Sequence, residues 1–423
     1  MKEPFAFSVV AKPTGAACNL DCKYCFFLSK ELLYDARRQN MSDETLQTYV
    51  RTFLEESPDG DVTMLWQGGE PLMRGLPFYE RAIELSKKYS RRTQRVHHAL
   101  QTNGTLITEQ WARFFRDNDV LVGVSIDGPE EYHDAYRVNK AGRGTHALVI
   151  RGWKLLEKFD VQRNILCTVH HANQDHGAEI YRYFRDDLHA SYIQFIPIVE
   201  RVQAADIEAA EQGWTAAMKA GVMYQQDGQF VTSRTVDPHA YGQFLIDVFH
   251  EWSRHDIGTV SVQDFDAAVN SFFGVPSVCV HAPECGNNFA MEFNGDVYAC
   301  DHWVEPDWLL GNVNDSSFQR LSATQKMREF STKKQNQLTK ECRDCPFLTL
   351  CWGGCPKDRF VSSSSGQRGH NYLCAGYKSF YAETYSSFMQ IAGLLSSGHR
   401  AAEFMDVVRL HGFNEKDRAD VGK

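Results

Sequence analysis

From residue 5 to about residue 200, short apolar runs alternate with longer stretches whose apolar residues recur at helical spacing. The runs Phe5–Val10, Val62–Trp66, Arg95–Leu100, Val120–Ile126, Arg163–Val169 and Tyr192–Ile196 predict six strands. Amphipathic stretches between them predict helices from a Ser42 cap toward Glu55, over Phe78–Tyr89, from a Thr108 cap through Phe115, and over Thr145–Lys158 and Glu179–Leu188. Repeated β-α units imply an α/β fold with parallel strands and outer helices, as a partial barrel or an open doubly wound sheet. Helical spacing continues over residues 201–277, alanine-rich at Ala204–Ala220 and aromatic-rich at Tyr241–Trp252. That predicts a helical connection packed on the strands. Farther on, Asn294-Gly295-Asp296 between Phe293 and Val297 predicts a hairpin. Ser362–Ser365 with Gly366 predicts a flexible loop, and Tyr377 begins a helical tail that turns charged and frayed.

The polar residues that interrupt this pattern gather at one end of each unit. Strand one runs into a cysteine loop, strand two into Gln67-Gly68-Gly69-Glu70-Pro71, and strand three into Gln101-Thr102-Asn103-Gly104. Strand four ends in Ser125-Ile126-Asp127-Gly128-Pro129, while strands five and six lead to His170-His171 and Pro197. In a parallel barrel these ends share one face, so the loops converge around one ligand. Gly68 and Gly69 let backbone approach that ligand, and Glu70 offers a carboxylate for an amino group. Ser125 and Asp127 sit on an apolar strand and need polar partners. Arg137 could grip a carboxylate through two hydrogen bonds. His97 and His98 read as barrel or surface histidines.

Composition narrows the classes. A 423-residue chain with 43% hydrophobic and 23% charged residues has material for a large core and two or three domains. Its formal net charge of −9 argues against broad nucleic-acid binding and fits a partner carrying positive charge. No apolar segment follows Met1-Lys2-Glu3-Pro4 and no run reaches a membrane span, so a soluble cytoplasmic protein without membrane contact is expected. In that compartment twelve cysteines point to metal rather than disulfides. Cys167, alone in an apolar run, reads as a core thiol.

Cys18, Cys22 and Cys25 stand in a C-x-x-x-C-x-x-C spacing. A four-iron cluster usually takes four thiolates, so three close ones leave one iron for an outside ligand. Eight more cysteines follow between Cys279 and Cys374, enough for two four-iron clusters or for structural zinc sites. Together with Lys12-Pro13-Thr14-Gly15 and the Gly-Gly-Glu-Pro, Gln-Thr-Asn-Gly and Ser-Ile-Asp-Gly-Pro loops, the first half resembles the radical S-adenosylmethionine (SAM) barrel of anaerobic sulfatase-maturating enzymes. The pattern from Cys285 to Cys374 resembles the SPASM domain appended to such enzymes, with Cys279 as an extra upstream ligand.

The resemblance implies a partial (β/α)6 radical SAM barrel over residues 1–235, a connection over 236–277, a SPASM-type domain over 278–376 and a tail over 377–423. It implies three [4Fe-4S] clusters: one on Cys18, Cys22 and Cys25, one on Cys279, Cys285, Cys300 and Cys355, and one on Cys342, Cys345, Cys351 and Cys374. For SAM it implies Tyr24 beside the adenine, Gly68, Gly69 and Glu70 near the amino group, Ser125 and Arg137 at ribose and carboxylate, and Ile198 as an apolar wall. Asp301 would be the base. The implied reaction is oxidation of a cysteine or serine in an unfolded sulfatase polypeptide to Cα-formylglycine, with flavodoxin or ferredoxin as reductant and a monomeric enzyme. The alternative is a peptide maturase forming thioether or carbon–carbon crosslinks.

Overall fold

Six parallel strands run side by side in chain order: β1 (Ser8–Ala11), β2 (Gly60–Trp66), β3 (Gln94–Thr102), β4 (Val120–Ser125), β5 (Arg163–Val169) and β6 (Tyr192–Pro197). The computed structural model that shows this describes residues 5–34 and 40–411. Unbroken sequential order decides between the two predicted sheets, because a doubly wound sheet reverses direction part-way. Helices follow most strands. Asp43–Glu56 and Glu109–Asp117 start where Ser42 and Thr108 accept hydrogen bonds from the amides of Thr45 and Trp111.

The sheet is longer than the barrel pattern predicts. After a two-residue pair, β7 (Arg201–Val202) and β8 (Phe230–Val231), strand β9 (Ser261–Val262) adds in parallel to β6. At the other edge β10 (Asn288–Met291) pairs in parallel with β1, Ser8 opposite Asn288 through Ala11 opposite Met291. Strands β11 (Asp296–Tyr298) and β12 (Leu309–Asn312) continue it antiparallel, giving ten strands. The β10–β11 hairpin turns at Asn294-Gly295, as its sequence predicts. The barrel and the cysteine-rich segment therefore share one sheet across residue 278.

The boundary placed at 376/377 falls inside a helix. Cys374 is the first residue of a 23-residue helix, Cys374–Ser396, which buries Tyr377, Phe380, Phe388 and Ile391. That helix crosses Pro238–His255 at a pair of glycines. A Cβ on Gly376 would lie 2.1 Å from the Pro238 carbonyl oxygen, so the two backbones touch with no side chain between them. The connection and the tail are thus one packed layer, and a single core runs from Val9 and Trp66 to Phe388. The charged end of the tail, residues 412–423, lies outside the described residues. The segment read as a flexible loop, Ser362–Ser365 with Gly366, is the turn that joins Arg359–Ser362 to Arg368–Asn371, closed by Ser363 N donating to the Gln367 carbonyl at 2.8 Å.

Candidate active site

The cysteine loop leaves β1 and is pinned by backbone. The amides of Asp21 and Lys23 donate to the carbonyls of Val138 (2.8 Å) and Tyr136 (2.9 Å). Asn103 clips it from β3, donating to Asn19 Oδ1 at 2.9 Å. Cys18, Cys22 and Cys25 so arranged line one cavity. Burial pushes the Cys18 thiol up to about 12 and raises Cys22 and Cys25 as well. Their charges are mutually coupled, so three thiolates here require a compensating cation, as an iron cluster provides. The residues present fit that group.

Gly69 serves the loop as much as any ligand. Its missing Cβ would lie 2.0 Å from the Ala17 carbonyl oxygen, and the amides of Gly69 and Glu70 donate to Gly15 and Ala17, both at 2.8 Å. Gly68 and Gly69 line the cavity. Glu70 departs from expectation. Its carboxylate is fully buried and accepts from Leu72 N (2.9 Å), Thr102 Oγ1 (2.8 Å) and Asn103 N (2.8 Å). Those donors turn it away from the cavity, so it clamps two loops instead of facing an amino group.

Tyr24, Ser125, Arg137 and Ile198 all line the cavity. Ile198 packs on Leu20, Cys22 and Tyr24. Ser125 Oγ accepts from Gln101 at 3.1 Å. Beneath them lies Asp127, with no exposed surface. It accepts from the Tyr24 hydroxyl, from Arg137 Nε at 2.8 Å and from Thr168 N at 2.9 Å. Burial opposes its charge, yet Arg137 prevails and holds the carboxyl far below its usual range. Arg137 thus has its Nε committed to Asp127 and only the far side of its guanidinium left for a ligand. His98 is a core residue, bonded to Trp66 Nε1 (3.0 Å) and Ser86 (3.1 Å); His97 is exposed beside Asp61.

The opposite wall comes from the cysteine-rich half. Asp301 follows Cys300 and forms an ion pair with Lys12, which itself is 1% exposed and sits 3.8 Å over the Phe27 ring. Burial works to raise the Asp301 carboxyl, but Lys12 and His302 outweigh it and keep the group ionised. Tyr224 and Gln226 close the cavity from the connection. Lys30 Nζ donates to the Tyr224 carbonyl at 2.6 Å and Glu305 accepts from the Gln226 amide at 2.6 Å, tying that segment to both halves.

The eight distal thiols form two neighbourhoods. Cys300 feels the charges of Cys355 and Cys279, and Cys279 also couples to Cys285 and Cys355. Cys345 and Cys351 each couple to Cys342 and Cys374, and these four line one surface cavity. Arg359 lies among both groups, coupled to Cys342, Cys351, Cys355 and Cys285 and fixed by carbonyls of Gly353 (2.9 Å) and Trp352 (2.6 Å). Among the described residues no three Cys, His, Asp or Glu converge closely enough for a single metal ion. Each neighbourhood supplies the four thiols that a four-iron cluster takes.

Comparison with known proteins agrees with this geometry. The Radical SAM superfamily model matches residues 13–184, and an iron–sulfur cluster-binding domain model (SPASM) matches residues 283–346. A serine-type anaerobic sulfatase-maturating enzyme of Bacteroides thetaiotaomicron is 40% identical over 394 residues, covering 92% of each chain. The chain belongs to the anaerobic sulfatase-maturating enzymes. A cysteine-type sulfatase-maturating enzyme of Clostridium perfringens is 34% identical, covering 91% of this chain and 98% of that one. The solved structure of native anSMEcpe with bound AdoMet and Cp18Cys peptide aligns with TM-score 0.77 at 31% identity, over 92% of this chain and 99% of that one. In this sulfatase-maturating chain, motif reading passed over Lys12, Tyr224 and Gln226. Lys12 was visible as the first residue of the Lys-Pro-Thr-Gly motif; nothing local marks Tyr224 or Gln226. No helix among the described residues is long and apolar enough to cross a membrane.

Proposed function

We propose that this chain oxidises a cysteine or serine side chain of an unfolded sulfatase polypeptide to Cα-formylglycine. The observation that carries the proposal is the Lys12–Asp301 pair, in which a carboxylate from the cysteine-rich half is held ionised on the wall of the cavity that the Cys18, Cys22 and Cys25 thiols line. When bound, SAM and the clusters supply a 5'-deoxyadenosyl radical that takes a hydrogen atom from the substrate Cβ and an acceptor for the second electron. Cys18, Cys22 and Cys25 would hold the cluster that leaves one iron open. Cys279, Cys285, Cys300 and Cys355 would hold the second, and Cys342, Cys345, Cys351 and Cys374 the third.

Asp301 takes the proton from the substrate thiol or hydroxyl, held by Lys12 at Oδ1; serine then gives the aldehyde directly, whereas the thioaldehyde formed from cysteine is hydrolysed by water with release of hydrogen sulfide. Tyr24, Ser125, Arg137 and Ile198 would grip SAM, with Gly68 and Gly69 offering backbone. On this reading residues up to 235 house the radical chemistry and 278–376 the auxiliary clusters. A flavodoxin or ferredoxin as reductant and a monomeric state belong to the same proposal. Asp301→Asn keeps the shape and removes the base. SAM cleavage should persist while aldehyde formation, trapped by a hydrazine reagent, drops by about 100-fold or more. Wild-type aldehyde yield from that variant would refute the role.

A further inference from the structure

A buried imidazole stands against the second distal thiol group. His370 lies on the outer strand of the Arg359–Ser362/Arg368–Asn371 hairpin and is 6% exposed. Its Nδ1 is 3.0 Å from Thr339 Oγ1 and 3.7 Å from Cys342 Sγ. The contact ties a strand residue to a thiol 28 positions away in the chain. Thr339 caps the short helix Lys340–Arg343, which carries Cys342, and its hydroxyl holds the ring edge.

We propose that His370 is a positioning residue for the cluster carried by Cys342, Cys345, Cys351 and Cys374, and that its N–H, directed at ligand sulfur, makes that cluster easier to reduce. This rests on the reading that those four thiols hold a four-iron cluster. Reduction adds negative charge that spreads onto sulfur, and a hydrogen-bond donor stabilises the more negative state more strongly. With its proton on Nδ1 the ring donates toward Cys342 Sγ, with Thr339 Oγ1 beside it. Arg359 lies among thiols of both groups and cannot set one apart from the other. Lys334, beside the first group, spends its ammonium on the carbonyl oxygens of Cys279 and Val280 rather than on sulfur. His370 therefore makes its own cluster a stronger electron sink than the four thiols alone would make it.

The test is a potentiometric EPR titration of the three-cluster holoenzyme. In His370→Leu, one of the three reduction waves should move to lower potential by about tenfold in its equilibrium constant, about 59 mV for one electron. The other two should stay in place, and His370→Gln, which keeps an N–H, should recover part of the shift. Three unmoved waves at full iron content would overturn the proposal. If His370→Leu does not load its cluster, wild-type enzyme labelled with 15N-histidine decides by pulsed EPR. An imidazole 15N coupling on one reduced cluster is expected, and its absence from all three overturns the inference. Wild-type protein that binds only about eight irons rather than twelve would overturn the cluster reading itself, a different and separable failure.

Discussion

Asp127 decides how the cavity wall that carries Tyr24 and Arg137 is built. One carboxylate orients Tyr24, Arg137 and the β5 backbone from below, without touching the cavity. Asp127→Asn should leave Arg137 poorly paired and weaken SAM binding by about tenfold or more, measured by equilibrium binding to reconstituted enzyme. An unchanged affinity would show that Tyr24 and Arg137 need no such support. Sequence reading came close here. The sequence marks Ser125 and Asp127 as polar residues that need partners, and the family resemblance puts Ser125 at the ligand. That Asp127 would lie underneath depends on side-chain direction, which alternates along a strand but whose outcome at a loop junction is set in three dimensions. Glu70 shows a related dependence on three-dimensional context. The motif marks a carboxylate near the ligand face, and only the converging donors of Leu72, Thr102 and Asn103 show that it points inward.

Among elements, the helix that begins at Cys374 matters most. The Cys374 thiol sits in its first turn, and the opposite face rests on Pro238–His255 through bare backbone at Gly242 and Gly376. Gly376→Ala would place a methyl 2.1 Å from the Pro238 carbonyl oxygen. The helix must then tilt or lift, costing about 1–3 kcal/mol in urea melts, and the displaced Cys374 should lower bound iron below the wild-type content. Full stability with full iron would contradict this contact. The six barrel strands were legible from apolar runs, Arg163–Val169 to the residue. The two-residue strands and the parallel docking of β10 were not. Short strands carry too little periodicity, and pairing between residues about 280 apart leaves no local mark.

At the level of the molecule, β1 is an inner strand only because β10 covers its edge. Expressed without the rest, residues 1–235 should expose that edge and give aggregated rather than stable monomeric protein. Size-exclusion chromatography checks it, and a folded monomer would argue that the halves are independent. The two groups of cysteines, in contrast, are legible in the sequence, since residue identity and spacing belong to the chain itself. The shared sheet has one more consequence. With Ala11 opposite Met291, the next residue on one side is Lys12, while ten positions beyond Met291 comes Asp301. Slippage by a single residue would swing Lys12 to the far side of the pleat and leave the aspartate facing a gap. The offset of two strands works like a gear tooth between the halves, and a chimera exchanging them between relatives would have to graft that tooth intact.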